Sequence, residues 1–305
     1  MIIIKLITSY LRILLFFPLY LTNKLLFIYY KIICLFDPGG FECKLEELYQ
    51  KQIDLKIKRI KNFHNLNYIP KLCFKRKEII FYTPTKVSNY RANTIYSKEV
   101  DTIKWIDNFG NKNTVFFDIG ANIGVYSLYS SILYGCKVFA FEPQYNNLLL
   151  LEKNIQLNKV EKLVTIIPNP IFNKNKLDFL LSKINNLAGS ASATFFNKKK
   201  FKNENYKKKL TLSLSVDFLV KKLSILRPNM IKIDVDGNEV DIIKGAIKTI
   251  NSLECNTILI ESYNPSTDKY VRSILKKKYY IYNDSGTNKI YVKKNYVFTK
   301  SNQIT

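Results

Sequence analysis

From residue 113 onward, the chain alternates short apolar runs with segments of helical periodicity. Several of these runs end at acidic residues, and amphipathic stretches such as 126–134 separate them. Strands that alternate with helices in this way form βαβ units and a mostly parallel sheet. The predicted strands are 114–118, 137–141, 163–167, 230–234, 257–261, 279–282 and 289–292.

These strands predict an α/β fold with a Rossmann-like, doubly wound, seven-stranded sheet. We expect the sheet to be mostly parallel and the last two strands to form an antiparallel hairpin. In such sheets, ligands bind in the crevice at the carboxyl ends of the strands. Polar residues that follow the strands are therefore the first candidates for a functional site.

The first 36 residues are strongly apolar but carry scattered lysines and one arginine. Their longest uncharged run, 13–23, has 11 residues, which is short of the ~20 that a membrane-spanning helix needs. We expect residues 1–36 to form a helix on an anionic membrane surface, with its cations reaching the headgroups. A helix packed on the domain, or an uncleaved signal-like segment, is the alternative. The expected location is cytoplasmic, with peripheral contact to the membrane.

The rest of the chain divides into a lead-in, a main domain and a tail. The lead-in carries a predicted helix at 44–60 and a predicted strand at 79–82. The main domain contains a long insertion, 172–210, whose lysine runs indicate a solvated loop or, alternatively, a basic lid that faces the substrate. The predicted regions are 1–36, 37–112, 113–295 and 296–305.

The formal net charge is +24, and nearly all of the positive charge is lysine. Lysine attracts anions without the bidentate geometry by which arginine recognises phosphate. The composition therefore favours general attraction to anionic surfaces and disfavours a nucleic-acid partner.

The cysteine and histidine content excludes several classes of site. None of the five cysteines forms a C-x-x-C pair, and His64 is the single histidine. A structural zinc site or a disulfide framework is therefore not expected. Nothing in the sequence around His64 indicates a nucleophilic triad.

A glycine-bearing turn follows the first predicted strand of the main domain. Residues 115–124 read V-F-F-D-I-G-A-N-I-G. Gly120 permits a tight turn, and Gly124 permits a close approach of the following helix to the strand. The G-x-N-x-G spacing differs from the dinucleotide pattern, and Asp118 would repel a pyrophosphate. A cofactor with a sulfonium, an ammonium and no phosphate fits better, and S-adenosylmethionine is such a cofactor.

An acidic residue also ends the second strand, 24 residues after Asp118. Glu142 follows the run 137–141 and precedes Pro143. A carboxylate at this position accepts hydrogen bonds from the two hydroxyls of an adenosine ribose. We therefore predict that Glu142 binds the cofactor.

Carboxylates after the fourth and fifth strands are candidates for contact with the methyl acceptor. Asp234 is the first candidate for acceptor contact or general base and Asp236 the second, because a hydroxyl acceptor must lose its proton. Glu239 starts the next helix, where it is either a helix-start residue or a catalytic one. Glu261 is a candidate substrate contact. A divalent cation bound by Asp234, Asp236 and Glu239 is the alternative to the preferred metal-free site.

Ordered motifs over residues 91–261 resemble those of the FkbM-family methyltransferases. They are Y-S-K-E at 96–99, W-I-D at 105–107, F-F-D-I-G-A-N-I-G-V-Y-S at 116–127, F-A-F-E-P at 139–143, L-E-K-N at 151–154 with Asn158, I-K-I-D-V-D-G-N-E at 231–239, K-G-A at 244–246 and I-L-I-E at 258–261.

This resemblance implies a class I methyltransferase fold and O-methylation of a sugar, glycolipid, polysaccharide or small natural product. It implies that the cofactor contacts are Glu99, Asp118, Gly120, Asn122, Gly124 and Glu142. The chain departs from the family pattern at 214–217, which reads L-S-V-D where the family has L-D, and in the long lysine-rich segment before it.

Two other functions remain open at this point. One is a non-catalytic protein that keeps the fold and binds membranes or polysaccharide through its positive surface. The other is an RNA ribose methyltransferase. Methylation of a nucleic-acid base is disfavoured, because residues 234–237 read D-V-D-G instead of the N/D-P-P-Y/F turn of such enzymes.

Overall fold

The computed structural model describes residues 68–73, 77–95, 97–191, 193–196, 202–262, 264–285, 287–294 and 296. These residues belong to the second of the two units into which the chain divides, Met1–Ile60 and Lys61–Thr305. The predicted segment 1–36, the predicted helix 44–60 and all of the predicted tail except Tyr296 lie outside the described residues. None of the helices described is long and apolar enough to cross a membrane.

The described part of the chain contains twelve strands and eight helices. The strands are β1 Tyr68–Cys73, β2 Lys77–Tyr82, β3 Val115–Ile119, β4 Lys137–Phe141, β5 Val164–Ile167, β6 Lys176–Lys183, β7 Thr194–Phe195, β8 Tyr206–Ser213, β9 Met230–Ile233, β10 Thr257–Glu261, β11 Tyr279–Ser285 and β12 Asn288–Lys293. The helices are α1 Lys86–Asn93, α2 Val100–Phe109, α3 Val125–Tyr134, α4 Tyr145–Asn158, α5 Val216–Lys222, α6 Glu239–Gly245, α7 Ile247–Ile250 and α8 Pro265–Leu275.

Seven of the strands form the central sheet, in the order β11-β12-β10-β9-β3-β4-β5. The strands from β10 to β5 run parallel, whereas β12 is antiparallel to both β10 and β11. The predicted doubly wound α/β sheet with an antiparallel final hairpin is thus confirmed. The chain reverses its direction of travel across the sheet between β3 and β9, which places a crevice at their carboxyl ends.

Apolar residues cover both faces of this sheet, as parallel strands between two helical layers require. On one face, Phe116 and Leu259 belong to a core that also contains Trp105 of α2 and Leu128 of α3. On the other face, Ile231 packs in a second core together with residues of α5, α6 and α8. The site at the strand ends therefore rests on a rigid, closely packed base.

Strand β9 is one residue shorter than predicted. It ends at Ile233, and the N–H of Asp234 donates to the carbonyl oxygen of Ile119 at 3.0 Å. Asp234 therefore lies just beyond the strand, between the ends of β3 and β9.

The lead-in packs against the main domain through side-chain amides of α4. The Tyr82 N–H donates to Asn154 Oδ1, and the Ile80 N–H donates to Asn158 Oδ1. These bonds provide hydrogen-bond acceptors for backbone N–H groups on the edge of β2. Strand β2 contains the predicted strand 79–82 and forms an antiparallel hairpin with β1. Trp105 Nε1 also donates to Thr257 Oγ1 at 2.8 Å, which ties α2 to the central sheet.

The lysine run 207–209 of the insertion 172–210, predicted as a solvated loop or a basic lid, lies on a strand, and the run 198–200 lies outside the described residues. Strands β7, β6 and β8 form a three-stranded antiparallel sheet, which we call the insertion sheet. The register runs from Lys176 opposite Ser213 to Lys183 opposite Tyr206. On β8, Leu210 and Leu212 alternate with Thr211 and Ser213, a spacing that suits a strand, while the lysines at 207–209 stay exposed.

Candidate active site

The glycine turn after β3 has the geometry that its sequence predicts. Gly120 has a φ of +89°, and a Cβ there would lie 1.9 Å from the carbonyl oxygen of Asp234. The N–H groups of Gly120 and Ala121 both donate to the Phe141 carbonyl oxygen at 3.0 Å. Glycine is required at position 120 because any side chain would collide with the backbone after β9.

Gly124 has a different role from the predicted one. Its φ is +88°, and a Cβ there would lie 2.6 Å from Leu151 Cδ1 on α4. The close approach is therefore to a flexible side chain of a neighbouring helix and not to the strand. The positive φ at the start of α3 is the stronger reason for glycine.

Glu142 is a buried carboxylate that accepts hydrogen bonds from the glycine turn and from the residues that follow β4. Its Oε2 accepts from the Asn122 N–H at 2.9 Å, and its Oε1 accepts from the Gln144 N–H at 2.8 Å. Burial raises the pKa of Glu142 to about 7, although these hydrogen bonds oppose the shift. Each oxygen keeps acceptor capacity for a further donor.

A cavity opens beside Glu142 at the carboxyl ends of the strands. The glycine turn, the end of β4, the connection from β5 to β6 and the insertion all contribute to its wall. The residues that line it include Gly120, Asn122, Phe141, Glu142, Asn169, Ile171, Leu180, Phe195, Asp234 and Asp236.

A second, smaller cavity adjoins the first. Glu99, Lys98 and Tyr126 line it, and Arg91, Gly120, Asn122 and Asp234 line both cavities. Asp234 and the glycine turn therefore stand where the two cavities meet.

Asp118 lies beneath these cavities and lines neither of them. It is fully buried in β3, where its Oδ2 accepts from Ser127 Oγ at 2.6 Å. Its Oδ1 has no hydrogen-bond partner and lies 3.9 Å from Lys232 Nζ. Burial raises the pKa of Asp118 despite that lysine. Its predicted direct contact with a cofactor stays a prediction.

Lys232 is a buried cation in the middle of β9. Its Nζ lies 2.7 Å from Asp234 Oδ2 and 4.9 Å from the centre of the Tyr126 ring. Burial alone would lower the pKa of Lys232, but the carboxylates of Asp234, Asp118 and Glu99 raise it above its usual value. Burial likewise would raise the pKa of Asp234, but Lys232 holds it well below the usual range. Both groups are therefore charged at neutral pH.

Two further carboxylates, from separate elements, lie close to Asp234 of this pair. Oxygen atoms of Glu99, Asp234 and Glu261 lie within 4.8 Å of one another. Glu99 precedes α2 and accepts from the Tyr126 hydroxyl at 2.5 Å, and Glu261 ends β10 next to β9. Cations accompany these carboxylates, because Lys232 pairs with Asp234, Lys98 Nζ lies 3.3 Å from Glu99 Oε1, and Arg91 lines both cavities.

The other two predicted catalytic carboxylates are placed differently. Asp236 is exposed and lines the first cavity. Glu239 is buried at the start of α6, where its Oε1 accepts from the Gly237 N–H at 3.0 Å. Burial raises the pKa of Glu239. In the described part of the chain, the group that could share a metal ion is Glu99, Asp234 and Glu261, so the alternative cation set of Asp234, Asp236 and Glu239 is not assembled.

Residues 187–191 of the insertion, here called the strap, cross the glycine turn. The Ser190 carbonyl oxygen accepts from Asn122 Nδ2 at 3.3 Å and from Asn147 Nδ2 at 3.2 Å. Arg91 Nε donates to the Gly189 carbonyl oxygen. The insertion thus contributes a neutral strap over the first cavity, which neither the predicted solvated loop nor the predicted basic lid describes.

Sequence reasoning missed Lys232, Tyr126 and Arg91. Lys232 carried a usable signal, because a lysine inside the short apolar run M-I-K-I is unusual for a strand buried on both faces. Tyr126 lies inside the apolar periodicity of α3. Arg91 reaches the strap across 98 residues of sequence, a contact that no local pattern indicates.

Comparisons with known proteins show which family the chain resembles. The sequence profile of the methyltransferase FkbM domain matches residues 118–282. The hexuronic acid methyltransferase AglP of Haloferax volcanii is 26% identical over 182 residues, which are 58% of this chain and 67% of that protein. The methyltransferase sdnD of Sordaria araneosa is 27% identical over 206 residues, 59% of this chain and 78% of that protein.

One solved structure of similar description is that of a methyltransferase FkbM from Methylobacillus flagellatus. It is 14% identical to this chain, with a TM-score of 0.43. The match covers 68% of this chain and 62% of that one.

Proposed function

The chain belongs to the FkbM methyltransferase family, and from that membership we propose that it methylates a hydroxyl group of a sugar or a small natural product. S-adenosylmethionine is the methyl donor, and it supplies an activated methyl group on a sulfonium. The observation that carries the proposal is the position of Asp234, a charged carboxylate where the two cavities meet.

The donor groups around the cavities fit this cofactor. Glu142 has acceptor capacity for the ribose hydroxyls, and it lines the first cavity. The buried atom Asn122 Oδ1 has no hydrogen-bond partner and is available to a donor in the same cavity. The Glu99 carboxylate lines the second cavity and suits the ammonium group of the cofactor. Gly120 and Gly124 contribute to cofactor binding by shaping the turn.

In the proposed reaction, Asp234 orients the acceptor hydroxyl and receives its proton. Lys232 holds the Asp234 carboxylate in one orientation, which favours an in-line approach of the acceptor oxygen. The low pKa of Asp234 is compatible with this role, because an oxygen that gains a methyl group becomes a strongly acidic oxonium. Even a weak carboxylate base then accepts the proton.

The relatives support an oxygen acceptor on a carbohydrate or natural product. One is described as a hexuronic acid methyltransferase. A uronic acid carries a carboxylate, and the net charge of +24 attracts anionic acceptors of that kind. We propose that Glu261, beside Asp234, contacts the acceptor and that Asp236 lines the acceptor side of the first cavity. We propose that Glu239, which lines neither cavity, supports this side through its hydrogen bond from the Gly237 N–H.

The first experiment measures cofactor binding. Isothermal titration of S-adenosylhomocysteine is compared for wild type, Glu142→Gln and Asp118→Asn, with circular dichroism as the folding control. We expect tight wild-type binding that Glu142→Gln weakens by ~1.5–3 kcal/mol, because a charged acceptor is lost. A folded wild-type protein that binds neither this ligand nor S-adenosylmethionine contradicts the proposal.

The second experiment measures methyl transfer to uronate-containing oligosaccharides and, in parallel, to RNA. We expect Asp234→Asn to keep its affinity for S-adenosylhomocysteine and to lose on the order of 10²-fold or more in turnover. Glu161→Gln, an exposed carboxylate before β5, is the matched control and should keep full turnover. Radiolabel that enters RNA and not the oligosaccharides would replace the proposal by RNA ribose methylation.

A further inference from the structure

Four apolar side chains lie together on one face of the insertion sheet. Leu177 of β6 is paired with Leu212 of β8, and Phe179 is paired with Leu210. Partners opposite each other in an antiparallel pair share a face, as do residues two apart along a strand. The four side chains, which we call the leucine face, are therefore contiguous.

The leucine face is solvent-exposed. Leu177, Leu210 and Leu212 are 64%, 54% and 46% exposed, and Phe179 is partly exposed. Single exposed leucines are common on protein surfaces and need no explanation. A set of apolar side chains in register on two paired strands is different, because contiguous apolar surface marks an interaction site.

Lysines border the leucine face. Lys208 of β8 and Lys183 of β6 are exposed, and each lies on the same face as the leucines because it is an even number of residues from Leu210 or Leu177. Lys207 and Lys209 flank Lys208 on the exposed edge strand β8, and their side chains lie on the opposite face. Apolar side chains beside several lysines match the chemistry of a surface that enters the headgroup layer of an anionic membrane.

We propose that the leucine face docks on an anionic lipid bilayer, with its apolar side chains at the boundary between headgroups and acyl chains. Lys208 and Lys183 then bind the phosphate groups, and the net charge of +24 adds long-range attraction. Leu180 and Phe195, on the opposite face of the same sheet, line the first cavity, so docking places the insertion sheet between that cavity and the bilayer. The inference does not depend on which hydroxyl the enzyme methylates.

The fluorescence of a tryptophan placed on the leucine face can report contact with lipid. The background is low because Trp105, the only tryptophan of the sequence, is fully buried. In the full chain, Leu177→Trp and the matched control Leu253→Trp are mixed with vesicles of brominated phosphatidylglycerol. Leu253 is 83% exposed. It precedes β10, at the amino-terminal ends of the parallel strands, whereas the cavities lie at their carboxyl ends. We expect quenching of the Leu177→Trp fluorescence, none of the control or wild type, and little effect with brominated phosphatidylcholine.

Vesicle sedimentation provides a second measurement. Leu177→Glu with Leu212→Glu should weaken binding of the full chain to phosphatidylglycerol vesicles by on the order of tenfold, since two apolar contacts are lost. Leu253→Glu should leave it unchanged, and added salt should weaken wild-type binding. Binding to vesicles without quenching at position 177 would overturn the proposal in favour of contact through another segment. A concentration-dependent blue shift of Leu177→Trp without vesicles would overturn it in favour of a second copy of the chain.

Discussion

Lys232 Nζ lies 2.7 Å from Asp234 Oδ2 and 3.9 Å from Asp118 Oδ1, so one buried cation lies between two carboxylates that the sequence motifs single out. Asp118 and Lys232 are register partners on adjacent strands. Lys232 and Asp234 are two residues apart and point to the same face. The β3–β9 pairing therefore connects the glycine turn to the proposed proton acceptor.

We predict that Lys232→Met destabilises the protein by about 3 kcal/mol, because removal of one partner leaves buried carboxylates uncompensated. Urea unfolding followed by circular dichroism measures this loss. Lys248→Met, at an exposed position of α7, is the control and should change stability by less than ~0.5 kcal/mol. Equal stability of the two variants would show that Lys232 does not balance the carboxylates.

We predict that affinity for S-adenosylhomocysteine rises with pH across the titration of Glu142. The pKa of this carboxyl is about 7, so below pH 7 it is mostly protonated and a poorer acceptor for ribose hydroxyls. Affinity should increase by up to about tenfold between pH 6 and pH 8 and then level off. Isothermal titration across this range tests the prediction, and Glu142→Gln should remove most of the dependence. An unchanged pH profile in that variant would assign the titration to another group.

The architecture of the central sheet follows from local patterns in the sequence. The apolar runs predicted its strands. The turn between β3 and α3 indicated that position 120 requires glycine. The insertion sheet was missed because β6 and β8 pair across a long connection, and lysine runs such as 207–209 are typical of loops as well as edge strands. The convergence of Glu99 on Asp234 depends on the path of the lead-in over the sheet, and only the packing of α2 fixes that path.

We predict that Gly189→Ala loosens the strap and weakens cofactor binding. Gly189 has a φ of +92°, and a Cβ there would lie 2.7 Å from the backbone nitrogen of Ser88. The strap must then move away from Asn122 and Asn147, and we expect a rise of at least about threefold in the Kd of S-adenosylhomocysteine and a faster release in stopped-flow. Gly135→Ala is the matched control, because its φ is +70° and its Cβ would make only ordinary contacts.

That control should lose about 1 kcal/mol of stability from backbone strain and keep wild-type affinity. Equal changes of affinity in both glycine variants would indicate a general effect of strain. An unchanged Kd in Gly189→Ala would show that the strap does not hold the cofactor.

We predict that Lys232 keeps metal ions out of the carboxylate group of Glu99, Asp234 and Glu261. Its ammonium already neutralises Asp234, so a divalent cation would have to enter beside a buried positive charge. Methyl transfer by the wild-type protein should therefore be insensitive to EDTA and to added Mg²⁺ or Mn²⁺. In Lys232→Ala the same oxygens, all within 4.8 Å of one another, become available as hard ligands. Millimolar Mn²⁺ should then raise the melting temperature of Lys232→Ala and leave that of the wild type unchanged, whereas wild-type activity that EDTA abolishes and Mg²⁺ restores would refute this account.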